Sequence, residues 1–237
     1  MSKLIIDIET FGEDFDKIDE TTKRVLLHGI NETDENYNDS VEQVKNELVF
    51  SPLTSEIVAI GLLDYDKDQG VVYYQSPEIK ANETKEGNFK FKPMKESEML
   101  ENFWQGVKAY DEIITFNGRS FDIPFIIARS AKWQVEVTKD LMQSRYIDSQ
   151  KFGTKHIDLF DQLGYYGSVR KTGGLHMWCR LLGIPSPKAD GVKGDDVKML
   201  FENQDYLTIA KYNTRDLIAT KELYDYWERF MKGAKSN

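Results

Sequence analysis

Cysteine, histidine and proline are scarce in this chain: 237 residues contain one, three and six of them. The lone cysteine, Cys179, excludes an internal disulfide and fits a reducing cytoplasm. With only His28, His156 and His176 beside it, no cysteine–histidine set has the spacing of a zinc site. No apolar run reaches the roughly 20 residues of a membrane span. The first residues lack the basic and apolar regions of a secretory signal. A cytoplasmic chain that makes no use of a membrane is the expectation. Positive charge is also in deficit, with 31 Lys and Arg against 40 Asp and Glu and a net charge of -9. Taken as a bulk figure, that argues against a nucleic-acid partner. Its distribution weakens the objection, because residues 13–50 alone hold 11 acids and 4 bases. Residues 129–155 hold 6 bases and 3 acids, and Arg170-Lys171 follow.

What is present is ordinary for a globular protein: 40% hydrophobic and 30% charged residues. The length suits one large domain or two small ones, and we expect a single domain over 1–237. Lys3 to Ile8 reads as a buried strand rich in isoleucine. The acidic segment 12–50 follows as an insertion over or beside the end of that strand, with helices near Glu20–Leu27 and Ser40–Leu48. Glu56–Tyr65 and Val71–Gln75 form a hairpin around Lys67-Asp68-Gln69-Gly70. Residues 76–95 are polar and read as a loop, with room for a short strand near Phe89–Phe91. A helix from Glu96, a strand over Glu112–Phe116, a helix over Ser120–Lys132 and a last strand over Ile157–Phe160 come next. Helices are then expected over Gly174–Leu182, Asp195–Glu202 and Tyr206–Met231. The order predicts an α/β fold, a mixed five-stranded sheet flanked by helices.

Three places carry unusual acids. Residues two apart on a strand share a face, so Asp7 and Glu9 project together with Ile5, while Leu4, Ile6 and Ile8 fill the other side. Paired carboxylates repel, and burying them alone is costly. A divalent cation such as Mg²⁺ or Mn²⁺, which takes oxygen ligands, resolves the conflict. Asp122 stands where the strand ending in Phe116 turns through Asn117-Gly118 into a helix, at the carboxyl edge where open α/β sheets bind ligands. An acid in a first helical turn also has a plain electrostatic reason to be there. In the last helix Ile209, Tyr212, Asp216, Ala219, Leu223 and Trp227 form one stripe. That stripe should face the core, yet it contains Asp216, with Tyr212 one turn before it.

Asp7-Ile8-Glu9, Asn117 through Phe121-Asp122, and Tyr212-x-x-x-Asp216 together resemble the three-motif signature of the DEDD superfamily of 3′–5′ exonucleases, in its tyrosine (DEDDy) branch. The segment Asp7-Ile8-Glu9-Thr10 and the strand Ile157-Asp158-Leu159 are similar to the predicted exonuclease group related to the proofreading domain of family B DNA polymerases. The resemblance runs from Asp7 to about Tyr224 and leaves the 12–50 insertion unmatched. It implies a ribonuclease H-like fold and two divalent ions, Mg²⁺ or Mn²⁺, held by Asp7, Glu9, Asp122 and Asp216. Two such ions about 3.5–4 Å apart activate the attacking water and stabilise the leaving 3′ oxygen. By resemblance, Tyr212 orients the water, and Thr10, Asn117 and Phe121 seat the terminal nucleotide. Arg170 and Lys171, before the helix at Gly174, would grip phosphates. Single-stranded DNA or RNA 3′ ends are the implied partners, DNA favoured. A polymerase or repair protein would act in trans.

The residues leave two other readings open. One is a silent nucleic-acid-binding or scaffold module of the same fold, which loss of a motif acid would favour. All four acids and the tyrosine are present. The other is a phosphohydrolase of short oligonucleotides. Asp158 reads as a supporting or structural acid, Cys179 as core, and His176 as a packing or surface residue.

Overall fold

In a computed structural model, which describes residues 1–76, 83–188 and 196–233, β1 (Lys3–Gly12) alternates as its sequence demands. Ile5 enters one core, and Leu4, Ile6 and Ile8 enter another on the opposite face of the sheet. The insertion contains α1 (Glu20–Leu26) and α2 (Tyr37–Glu47). Next come β2 (Ser55–Asp64), β3 (Gln69–Gln75), β4 (Thr84–Glu86), β5 (Phe89–Met94), α3 (Glu96–Val107), β6 (Glu112–Thr115), α4 (Asp122–Lys132), β7 (Lys155–Asp158) and α5 (Leu159–Leu163). The chain continues through α6 (Leu175–Leu182), α7 (Asp196–Glu202) and α8 (Tyr206–Tyr226), which ends in a π turn over Trp227–Met231. Asp195, expected to open α7, lies outside the described residues, as do 77–82 of the expected loop.

Among the described residues the strands form one mixed seven-stranded sheet, ordered β4-β5-β3-β2-β1-β6-β7. The two strands beyond the expected five come from the segment read as a loop. Phe89 and Phe91 are buried while Lys90 is exposed, the period of a half-buried strand. Pro93 obscured the pattern. It lies past the stretch of β5 that pairs with β4, where β5 becomes an edge and tolerates proline. β2 runs antiparallel to β1 and β3, whereas β6 and β7 run parallel to β1. The carboxyl ends of β1, β6 and β7 therefore meet at one edge, where the candidate acids were expected.

The long amphipathic α8 covers the face that carries Ile5. It contributes Ile209, Ala210, Leu217, Ala219, Leu223 and Tyr224 to that core. On the other face α3 and α4 bury Met99, Phe103, Trp104, Ile123 and Phe125 against Leu4, Ile6 and Ile60. The segment 12–50, expected as an insertion beside the strand end, carries α1 and α2. Its last turn, Leu48–Phe50, docks on the end of β1, where the Thr10 hydroxyl donates to the Val49 carbonyl at 2.9 Å. No helix among the described residues is long and apolar enough to cross a membrane.

Candidate active site

β1 and α8 form the centre of the site because both are ordered by burial on their remaining faces. Asp7, Glu9 and Asp216 each offer a carboxylate oxygen, and these atoms lie within 4.8 Å of one another. Small residues stand opposite the two strand acids. Asp7 pairs with Gly61 and Glu9 with Ala59, and the strand register shifts just after Glu9. That gap lets α8 approach the sheet closely.

Asp122 opens α4 and is buried beside this trio, outside it. One of its oxygens accepts the Ile8 N–H at 3.0 Å. The backbone of β1 between the two acids is thus tied to the third motif acid. Tyr212 is buried one helical turn before Asp216, close enough for each side chain to shift the other's proton affinity.

The turn into α4 is held by Asp158 at the end of β7. Its carboxylate accepts the Asn117 N–H at 2.7 Å, the Arg119 N–H at 2.9 Å and the Phe160 N–H at 3.0 Å. Asn117 adopts φ 67°, a left-handed conformation that asparagine tolerates better than most residues. Asp158 therefore acts on the shape of the loop. Phe121 packs on Phe125 with ring centroids 5.2 Å apart. Arg170 and Lys171 are exposed on the segment before α6 and are not part of the acidic cluster. Cys179 is in the core, and His176 faces the Ser186 hydroxyl at 2.6 Å.

Two residues of the site escape a reading by motif. Asn213 is 0% exposed, and its amide nitrogen donates to Asp7 at 2.7 Å and reaches Glu9 at 3.5 Å. Its spacing to Leu217, Thr220 and Tyr224, all buried, was the available signal: the buried face of α8 is wider than one stripe. Phe50, from the insertion, is 65% exposed, and its ring stands edge-on to Phe121 at 6.4 Å. Nothing in its local sequence marked it.

The electrostatics follow from crowding like charges out of water. Asp7 is raised well above the usual carboxylate range by burial, then by Asp216, Asp122 and Glu9. Glu9 is raised by burial and Asp216, with the Asn213 amide opposing. Burial also pushes Asp122 up to about 7 and Asp216 to about 6. Burial and the surrounding acids push the Tyr212 phenol far up, so it keeps its proton at any ordinary pH. No lysine or arginine forms an ion pair with these four acids among the described residues. An oxygen-only cluster that resists ionising unless a cation joins it is the donor set of a hard divalent ion.

These shifts set a pH dependence. In the unfolded chain the carboxyls lose their protons near pH 4. The folded protein retains them up to about 6 at Asp216 and about 7 at Asp122. Between those limits the folded state binds more protons, so stability falls as pH rises and the penalty is absent below the unfolded value. Buried His156, whose pKa is held down to about 4, works the other way up to about pH 6.5, so calorimetry in EDTA is expected to show a Tm that declines from about pH 6.5 to 8. The slope should be smaller in Asp122→Asn and flattened by excess Mn²⁺. A Tm that climbs over this range, with wild type and variant alike, contradicts the assignment.

A family model described as "Predicted 3'-5' exonuclease related to the exonuclease domain of PolB" matches residues 50–234. The matched stretch includes Asn117, Phe121, Asp122, Tyr212 and Asp216 and begins after the two acids of β1. Among solved structures, the chain is similar to the family B DNA polymerase from the hyperthermophilic archaeon Pyrobaculum calidifontis, with a TM-score of 0.59 and 15% identity. The similarity covers 96% of this chain and 24% of that polymerase, so the chain spans about a quarter of the larger protein. No curated protein matches.

Proposed function

The chain belongs to the family of predicted 3′–5′ exonucleases related to the exonuclease domain of PolB, and from that premise we propose that it removes nucleotides from the 3′ ends of single-stranded nucleic acid, DNA in preference to RNA, with divalent metal ions. The observation that carries the reading is the convergence of Asp7, Glu9 and Asp216 at one sheet edge, with Tyr212 buried one turn from Asp216. The preference for DNA rests on the polymerase relationship in the family description.

Asp7, Glu9 and Asp216 would hold one ion, and Asp122 would reach a second through the oxygen not engaged by Ile8. When bound, such ions lower the pKa of the attacking water and stabilise the leaving 3′ oxygen. Tyr212 stays protonated beside Asp216, which suits it to orient the water and unsuits it to take the proton. Asn117 and the backbone of Thr10 border the same edge and would contact the terminal sugar. Arg170 and Lys171 would meet phosphates farther along the strand. A polymerase or repair protein is a candidate partner in trans.

Phe121, the residue before Asp122, packs on Phe125, and Phe50 stands edge-on to it; this pair of rings would offer the substrate a stacking surface. Base stacking on such rings is tolerant of sequence. Phe50→Ala is expected to raise KM for a single strand by roughly 5-fold or more, in line with the value of one stacked base. Because Phe50 is mostly exposed, the Tm should hold. An unchanged KM removes the insertion from the substrate path.

The reading is tested by incubating 5′-labelled single-stranded DNA and RNA with Mg²⁺ or Mn²⁺. A ladder that shortens from the 3′ end, absent in EDTA, is the expected product. No cleavage of either polymer in any metal, with binding retained, would move the protein to a silent nucleic-acid-binding module. Cleavage confined to dinucleotides would make it an oligonucleotide phosphohydrolase.

A further inference from the structure

Asn213 sits at the point where α8 crosses β1 and β2. Its Nδ2 is 2.7 Å from an Asp7 oxygen and 3.5 Å from a Glu9 oxygen, while its Oδ1 has no protein partner. With the two carboxylates ionised around a cation this orientation is required, because reversing the amide would set its oxygen against groups that offer acceptors and no donor. A buried amide oxygen left unpaired is costly. A structure that tolerates it places the donor end above the acceptor end in importance.

The sheet makes room for this geometry. Gly61, the cross-strand partner of Asp7, lies directly beneath the Asn213 side chain. A Cβ built on Gly61 would stand 1.8 Å from Asn213 Oδ1, far inside any allowed contact. Gly61 has no left-handed backbone conformation to explain it. The close approach of the amide does explain it.

We propose that Asn213, seated on Gly61, is a positioning residue. It clamps one oxygen of Asp7 and draws Glu9 beside it, so that the two carboxylates face a divalent ion in fixed planes. The proposal rests on the divalent-ion reading of the site and adds a role for a residue outside its acids. Donors that orient metal-binding carboxylates typically change metal affinity 10–100-fold when removed.

The test is Mn²⁺ titration by calorimetry into metal-free wild type, Asn213→Leu, Gly61→Ala, Asn213→Ala and the Gly61→Ala/Asn213→Ala double variant, with the Tm of each in EDTA. Leucine matches the shape of asparagine and carries neither donor nor acceptor. Asn213→Leu is expected to keep its Tm in EDTA and to weaken Mn²⁺ binding about 10–100-fold. A purely structural role would not separate the two readouts in this way. Gly61→Ala should reproduce the weakened binding, and adding it to Asn213→Ala should weaken binding little further, because the amide clash is gone and only the Leu217 methyl, 2.7 Å from the added Cβ, has to give. Asn213→Ala stands in if the leucine variant fails to fold. Wild-type affinity in the position-213 variants overturns the proposal and leaves the metal site standing. Absence of Mn²⁺ binding in wild type overturns the metal reading itself, and the wild-type titration alone distinguishes that case.

Discussion

Asp7→Asn is expected to abolish exonuclease activity and, in the same protein, to raise the stability of the metal-free fold. Asp7 is the most crowded of the acids: burial, Asp216, Asp122 and Glu9 all oppose its charge. An asparagine of the same shape removes that opposition. It also removes a charged ligand from the ion that polarises the reaction, a contribution of several kcal/mol, or about 10³-fold in rate. Relieving the repulsion should stabilise the EDTA-treated protein by about 1 kcal/mol, the usual gain when a strained functional group is neutralised. For a chain of this size that is a Tm rise of roughly 2–4 °C. The labelled-strand assay and a thermal melt of one preparation read both effects. Turnover near wild type would falsify the role of Asp7. A lower Tm in EDTA would show that its charge is already compensated in the free protein.

The second large effect concerns the face away from the acids. Glu96 and Arg129 are nearly inaccessible and form a two-pronged pair, with Arg129 Nε and Nη2 donating to Glu96 at 2.7 and 2.6 Å. Arg129 Nη1 also donates to the Ser55 carbonyl at 2.6 Å. Glu96 accepts the Ile57 N–H at 2.9 Å and the Trp133 indole N–H at 2.6 Å. One ion pair therefore joins the start of α3, the end of α4 and the entry to β2. Glu96→Ala leaves a buried guanidinium without its counter-charge, held only by the Ser55 carbonyl, and two N–H donors without partners, a loss of about 3–5 kcal/mol. The expected Tm drop is roughly 6–20 °C. Replacing both members with Leu and Met should recover part of the loss, because no charge is then buried alone. It should not recover all of it, since Ile57, Ser55 and Trp133 keep their orphaned groups. A single variant that melts with wild type means that the pair is solvated in solution.

Much of this protein is legible from periodicity. The alternation of Leu4, Ile5, Ile6 and Ile8 placed Asp7 and Glu9 on the face with Ile5, and the two cores divide along that line. The 3.6-residue stripe of α8 put Tyr212 and Asp216 against the sheet. The Phe116–Asp122 turn was recognisable as a strand passing into a helix at the ligand edge.

What failed was of another kind. A short strand had room near Phe89–Phe91, but β4 and the run of β5 through Pro93 were hidden, because proline reads as a stop and only the topology sets it on an edge. Asn213 looked like one polar residue among several on α8 until the register placed Gly61 beneath it. Phe50 is separated from Phe121 by more than two strands of chain, and Glu96 from Arg129 by a helix and a strand. Burial of one face is a local property, written in the spacing of apolar residues along a single element. Which residues of two distant elements meet depends on register, twist and the docking of loops, which spacing within one element does not encode. The sequence by itself determined the elements, their buried faces and the acids they carry. The tertiary structure decided that three of those acids share one point, that Asp122 stands beside them tied to β1, and that an asparagine over a glycine turns its amide donor to two of them.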